Sequence, residues 1–203
     1  MINPSPVDLV RLCQQTLPDD TRAFEVIVAR YKKKVFLTAY RLLDNREEAE
    51  DYAQEVFLKI YRSIKNLNEP ETFEAWLHRI TVNTCLNALE KRKRTPNIKI
   101  YLDADVETQG FDIPSKLNAE KTFEAQEIRN CLEKALAKLE PTGRNAIVLR
   151  DIEEMSYEEI AASLKVGLSA VKMRIHRARL AVRDLIEKIC PGSWRANSIR
   201  ESL

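Results

Sequence analysis

Between Ser169 and Arg179 the chain reads SAVKMRIHRAR, which sets Lys172, Arg174, Arg177 and Arg179 around His176 on a segment whose apolar residues recur at helical spacing. Cations in this arrangement neutralise phosphates, while Ser, Lys, Met and His side chains on the first turns of a helix can reach base edges in a major groove. On a wheel advancing about 100° per residue, Val171, Ile175, Ala178, Val182, Leu185, Ile186 and Ile189 fall within about 60° of one direction. Ser169, Lys172, Met173, His176, Arg179 and Arg183 point away from it, with Arg177 just beyond and Arg174 on the flank. A merely solvated basic helix would show the same split, so the preceding residues decide between the two. Ser156 and Glu159 form a capping-box pattern ahead of Ile160, Ala161 and Leu164, and Lys165 to Leu168 supply a turn. That is a helix-turn-helix. It assigns Ser169, Lys172, Met173 and His176 to base edges and Arg174, Arg177, Arg179 and Arg183 to phosphates.

A second charged segment has the opposite sign. Residues 44–58 carry Asp44, Glu47, Glu48, Glu50, Asp51 and Glu55 against the single cation Arg46. An acidic helix face is a poor ligand for DNA and a good match for a basic protein surface. The net charge of +2 conceals this segregation, which gives one chain two partner surfaces.

Other chemistries lack their residues. Cys13, Cys85, Cys131 and Cys190 form no C-x-x-C pair, and His78 and His176 stand far apart, so neither a disulfide framework nor a metal site is expected. No Gly-rich phosphate loop, H-E-x-x-H or G-x-S-x-G occurs, so the expectation is a non-enzyme with no catalytic residues and no cofactor. With no signal-peptide pattern and no apolar run of roughly 18–20 residues, a cytoplasmic, thiol-reduced protein without membrane insertion is expected.

The elements that must position these faces follow from periodicity. The chain has 203 residues, 44% of them hydrophobic, and only four glycines, which favours long helices. Phe24, Ile27, Val28, Tyr31, Val35, Ala39, Leu42 and Leu43 trace one helix, stopped by Asp44. Asn45, with Glu48 three positions on, caps a second that runs through Ala49, Tyr52, Ala53, Val56, Phe57, Ile60, Tyr61 and Ile64. A third starts near Pro70 and turns Phe73, Trp76, Leu77, Ile80, Thr84, Ala88 and Leu89 inward. Periodicity fails from Thr95 to about Ala119 and resumes with Phe123, Ile128, Leu132 and Leu136. An all-α chain of two small helical domains joined by a flexible linker is expected: 1–94, an acidic linker 95–119, 120–190, and a tail 191–203.

Three stretches together resemble one family. EEAEDYAQEVFLKIYRSI, FEAWLHRITVNTCLNALEKRKR and LEPTGRNAIVLRDIEEMSYEEIAASLKVGLSAVKMRIHRAR are similar to the two signature regions of extracytoplasmic-function sigma factors, a group of the sigma-70 family of RNA polymerase sigma factors. The resemblance implies a transcription initiation factor that brings polymerase core to promoters. Its first domain would bind the clamp helices of the beta-prime subunit and melt the minus-ten element. Its second would hold the minus-thirty-five element as duplex and touch the beta flap. Carried over by motif, Asp51, Gln54, Glu55 and Phe57 are the polymerase contacts, and Arg79, Asn83, Asn87, Lys91, Arg92 and Arg94 the minus-ten contacts. The loop Asn66 to Phe73 corresponds to the segment that holds an extruded base. The linker resembles the segment that threads toward the active-site cleft, and an anti-sigma protein is a further partner the family implies.

The chain departs from the family pattern in several places. Asn87 stands where the family usually has Asp, and LKVGLSAVKMR replaces a pattern close to LGVSxGTVKSR. Lys165 thus takes a turn glycine's place, Gly167 takes the usual cap position, and Met173 implies a different minus-thirty-five preference. The rival reading, a regulator that dimerises through its first block, conflicts with the acidic EDYAQEVF face, because a dimer seam should be apolar at its centre.

Overall fold

Among the described residues every regular element is helical. The computed structural model describes the backbone of residues 4–94 and 119–191 and the side chains of residues 4–92 and 127–191. The expected linker and tail therefore lie outside the described residues, apart from Ala119 and Pro191. The chain divides into two compact units, Met1–Pro96 and Asn97–Leu203.

The first unit contains α1 (Pro6–Thr16), α2 (Arg22–Leu43), α3 (Arg46–Ser63) and α4 (Phe73–Arg94), with two short 3-10 turns, Ile64–Asn66 and Pro70–Thr72, ahead of α4. α1 falls outside the periodic stripes read from the sequence. It is defined by a capping box: the Ser5 side chain accepts from the Asp8 backbone N–H at 3.1 Å while Asp8 accepts from Ser5, and Pro6 occupies the first turn. Its inner residues Leu9, Val10 and Cys13 join Ile27, Val35, Val56, Ile60, Ile64 and Phe73 in one core. α2 ends as expected at Asp44, which adopts the left-handed conformation at φ 54°. Asn45 then caps α3 by accepting from the Glu48 N–H at 2.9 Å. The Tyr31 hydroxyl donates to Glu74 at 2.6 Å, and burial together with that carboxylate pushes the phenol up to about 12.

The second unit contains α5 (Ala119–Ala137), α6 (Pro141–Ile147), a π-type turn (Val148–Ile152), α7 (Tyr157–Leu164) and α8 (Leu168–Ile189). Val148, Leu149, Ile160, Val171 and Ile175 form its interior. Its least obvious support is Arg144. This residue is buried on α6, and its guanidinium donates to the Leu136, Ala137 and Leu139 carbonyls at 2.7, 2.5 and 3.2 Å. A cation thereby adds a donor to the Leu136 carbonyl, which also accepts the Leu139 N–H at 3.1 Å, and supplies one to the Ala137 and Leu139 carbonyls, at a helix end where the dipole also favours positive charge.

One expectation is overturned in this unit. Cys131 on α5 and Cys190 at the end of α8 are joined in a disulfide. No short spacing announced the pair, because the fold, not the local sequence, brings the two positions together. Among the described residues no group of His, Cys, Asp or Glu is placed to hold a metal, and no helix is long and apolar enough to cross a membrane.

Candidate nucleic-acid interface

The approach to α8 is built as its sequence predicts. Ser156 and Glu159 close the reciprocal capping box of α7, with bonds of 3.1 and 2.8 Å. The turn opens at Lys165, which adopts φ 54° and ψ 45°, the left-handed region where the family places glycine. The Val166 N–H returns to the Ala161 carbonyl at 3.1 Å and closes α7. Gly167 is the N-cap of α8 in an ordinary extended conformation, so α8 begins at Leu168, one residue ahead of the expected start at Ser169.

α8 then divides by side. Val171, Ile175, Ala178, Val182 and Ile186 are buried, with Leu185 and Ile189 partly so, as the wheel requires. Ser169, Lys172, Met173, His176, Arg177 and Arg183 are exposed, and Arg174 is partly buried on the flank. Met173, at 51% exposure, and Leu180, also exposed, are apolar side chains kept in water on a face whose other members are mostly polar.

Two cations on this helix are held by neighbours that sequence reading missed. Arg179 makes a two-pronged ion pair with Asp151, Nε to Oδ2 at 3.0 Å and Nη2 to Oδ1 at 2.5 Å. That carboxylate holds the guanidinium's pKa above its ordinary value. Arg179 was expected at a phosphate, but it is less than a third exposed and engaged within its own unit, so here it orients α8 instead. Lys172 lies 5.9 Å from the centre of the Tyr157 ring, which also carries the Arg150 guanidinium at 4.8 Å. Arg150 in turn donates to the Met155 carbonyl at 2.7 Å. Tyr157 thus gathers two cations at the start of α7 and holds them beside the exposed face of α8.

In the first unit α4 is packed against α1, α2 and α3. Phe73, Leu77, Thr81, Val82, Thr84, Cys85, Leu86 and Ala88 are buried, while Trp76 is partly buried with its ring 6.1 Å from that of Phe73. Beyond the exposed Glu74 and Ala75 of its first turn, α4 presents a stripe at four-residue steps, Arg79, Asn83, Asn87 and Lys91, all exposed. Arg92 is turned toward α3, donating to Glu48 at 2.5 Å, and is thereby separated from the stripe it was grouped with. The Arg94 side chain lies outside the described residues.

The residues ahead of α4 are held from the N-terminus. Gln14 on α1 donates its amide to the Ile64 and Leu67 carbonyls at 3.2 and 2.8 Å, and Arg11 pairs with Glu71 at 2.8 Å. Asn66, Asn68 and Glu69 stay exposed between these anchors. The Ser5-Pro6-x-Asp8 signature could have disclosed α1, but its docking site could not be read locally.

On α3, Asp51, Gln54 and Glu55 are exposed, and Glu55 pairs with Lys59 at 2.7 Å. Phe57 corrects the grouping made from the motif. It is 9% exposed and packed in the core, being spaced three and seven residues from the buried Ile60 and Ile64. Leu58 is the apolar residue that faces outward, at 56% exposure, one turn beyond Gln54. Its position off the apolar stripe was the available signal.

Comparison with known proteins supports the same two-part division. Residues 27–95 match Sigma-70 region 2 and residues 129–182 match Sigma-70, region 4. The chain is 37% identical to the ECF RNA polymerase sigma factor SigW of Bacillus subtilis, over 87% of this chain and 95% of that protein. It is 39% identical to the ECF RNA polymerase sigma factor SigE of Mycolicibacterium smegmatis, over 82% of this chain and 62% of the length of that protein. Its fold is similar to that of the sigma factor RpoE of Bartonella quintana, solved with the anti-sigma factor NepR, at a TM-score of 0.54 and 23% identity, covering 81% of this chain and 96% of that one.

Proposed function

The chain belongs to the extracytoplasmic-function group of sigma-70 RNA polymerase sigma factors and acts in transcription initiation, binding polymerase core and recognising the minus-ten and minus-thirty-five promoter elements, and we propose how its residues divide that work. Residues 1–94 dock on core and open the minus-ten element. Residues 120–190 hold the upstream element as duplex, with 95–119 as the tether and 191–203 as a tail.

The exposed carboxylates Asp51 and Glu55, with Gln54 and the outward Leu58, form the docking face for the beta-prime clamp helices. A centre that joins one apolar side chain to charges complementary to a basic partner gives both hold and orientation. The stripe Arg79, Asn83, Asn87 and Lys91 follows the opened strand, its cations on phosphates and its amides on base edges. Ser169, Lys172, Met173 and His176 read the upstream element, while Arg174, Arg177 and Arg183 hold its backbone. The beta flap is the further polymerase contact of the second unit, and an anti-sigma protein would silence the factor by covering these faces.

The observation that carries this reading is the pair of exposed faces of opposite charge, one on α3 and one on α8, in a single chain. Reconstitution tests it. Core polymerase should initiate at two-element promoters only when the chain is added, and D51K/E55K should abolish capture by core while leaving binding to duplex upstream DNA. A chain that binds DNA tightly as a dimer and leaves core enzyme blind to promoters would overturn it.

A further inference from the structure

We propose that Cys131 and Cys190 form a reversible oxidation site whose state governs the stability of the second unit and, through it, the grip on duplex DNA. The residues are 59 positions apart, yet their Cα atoms lie 6.3 Å apart and the sulfurs are bonded. That separation is inside the roughly 4.4–6.8 Å that a disulfide spans without backbone movement. The bond ties α5 to the last turn of α8 and closes a loop holding α6, α7 and the whole helix-turn-helix. A cross-link over so long a loop restricts the unfolded chain far more than the folded one, so the oxidised unit resists unfolding.

The first unit provides the contrast. Cys13 and Cys85 are buried thiols, and burial pushes the Cys13 thiol up to about 11, which keeps it protonated and unreactive near neutral pH. Oxidation chemistry is thus directed to the second unit.

The site is also open to exchange. Cys131 is buried, while Cys190 is partly exposed at the end of its helix, so attack by an incoming thiolate is assigned to the Cys190 side of the bond. When a dithiol reductant attacks there, the Cys131–Cys190 bond breaks, and its electron pair leaves on the Cys131 sulfur, which takes up a proton. The reductant's second thiol gives up its proton and attacks its partner sulfur in the mixed disulfide, releasing Cys190 as a thiol. In balance, two electrons and two protons pass from the dithiol to the protein, and the dithiol becomes a disulfide. Oxidation is the reverse exchange, with a disulfide as the oxidant.

The bond does not obstruct the reading face. His176, the last of the base-edge residues, lies 14 positions before Cys190, about 21 Å along the helix. Redox state therefore changes how much of the second unit is folded, not which bases it prefers. The DNA clause rests on the role proposed above for α8; the stability clause does not.

The full-length chain is equilibrated in oxidised or reduced dithiothreitol, labelled with a maleimide after unfolding, and its unfolding recorded by calorimetry. Expected are two labelled cysteines when oxidised and four when reduced. Reduction should lower one unfolding transition by about 10–20 °C and leave the other in place. Oxidised Cys190→Ser should unfold like the reduced wild type and ignore the redox buffer. With core polymerase, at a temperature between the two midpoints, occupancy of the upstream duplex should fall at least about fivefold on reduction with unchanged base preference. Four labelled thiols under full oxidation, or a bonded chain that melts like the reduced one, would overturn the proposal. A thermal shift with unchanged occupancy would overturn its DNA clause, whereas failure to bind core at all would count against the sigma assignment and leave the thermal result standing.

Discussion

α4 and α8 are both 22 residues long, and both carry side chains assigned to DNA, yet they meet solvent in different ways. α4 is packed by three helices of its unit and keeps outside little more than a stripe one residue wide, with Asn83 and Asn87 between cations. α8 buries one side and leaves the other open from Ser169 to Arg183. A narrow row of donors and acceptors on a rigid bundle suits one strand at a time, since successive bases and phosphates can be met in order. A broad basic face suits a groove, which surrounds a helix on several sides. The placement of cations within the packing therefore separates the two modes better than their number does.

The largest effect is expected where the second unit loses the base on which α8 is seated. Arg144 donates to three carbonyls around the end of α5. Arg144→Met fills a similar volume and removes the charged donor from all three carbonyls, of which Leu136 keeps the Leu139 N–H, and this should cost about 3 kcal/mol. Calorimetry should show the transition of the second unit displaced downward by more than about 10 °C, with that of the first unit unmoved. Equal displacement of both would mean that the units do not unfold separately.

The division between strand and groove is tested next by paired substitutions. Asn83→Ala with Asn87→Ala should reduce permanganate-detected opening of the minus-ten element by about tenfold or more and leave protection of the upstream duplex intact. Lys172→Ala should do the reverse. It should spare opening on pre-melted templates and shift base preference at the upstream element, with about 1–3 kcal/mol of discrimination lost at one position. Identical losses from both, on every template, would show that the two helices do not work on separate elements.

How much of this was legible in the residues depended on how local the cause was. The helix faces and both caps, Asn45 and Ser156, could be read because a 3.6-residue period and a three-residue bond are short-range. Phe57 belongs both to the apolar stripe through Ile60 and Ile64 and to the contact motif, and its burial follows the stripe, because a motif names only a neighbourhood. Arg179 was assigned to phosphate because its partner Asp151 stands 28 positions upstream. The Cys131–Cys190 pair and the grip of Gln14 on the turn after α3 are also long-range, and no spacing rule reaches them.

In the first unit the corresponding support is Gln14. Its amide donates to the Leu67 carbonyl and shares the Ile64 carbonyl with the Leu67 N–H, so Gln14→Leu should loosen the segment before α4 at a cost of about 1–2 kcal/mol. If that segment holds an extruded base, selectivity at the minus-ten element should weaken while upstream preference stays constant. Randomised-promoter selection checks this, and unchanged selectivity would reduce Gln14 to a stabilising contact.

The smallest effect concerns the turn that aims α8. Lys165 holds a left-handed backbone at φ 54°, where a Cβ costs roughly 1 kcal/mol that glycine does not incur. Set against this, glycine has more conformational freedom to lose on folding, so the net gain of Lys165→Gly should be about 0.5 kcal/mol, read as a small rise in the second unit's melting temperature. Gly167→Ser should add a similar amount, because the position is extended, nothing lies within 4 Å of an added Cβ, and a serine oxygen could cap α8. Neither change touches the charged side of α8, so promoter preference should be unaltered. A shift in preference without a gain in stability would mean that the turn sets the angle of α8 in the groove and that the strain at Lys165 serves recognition.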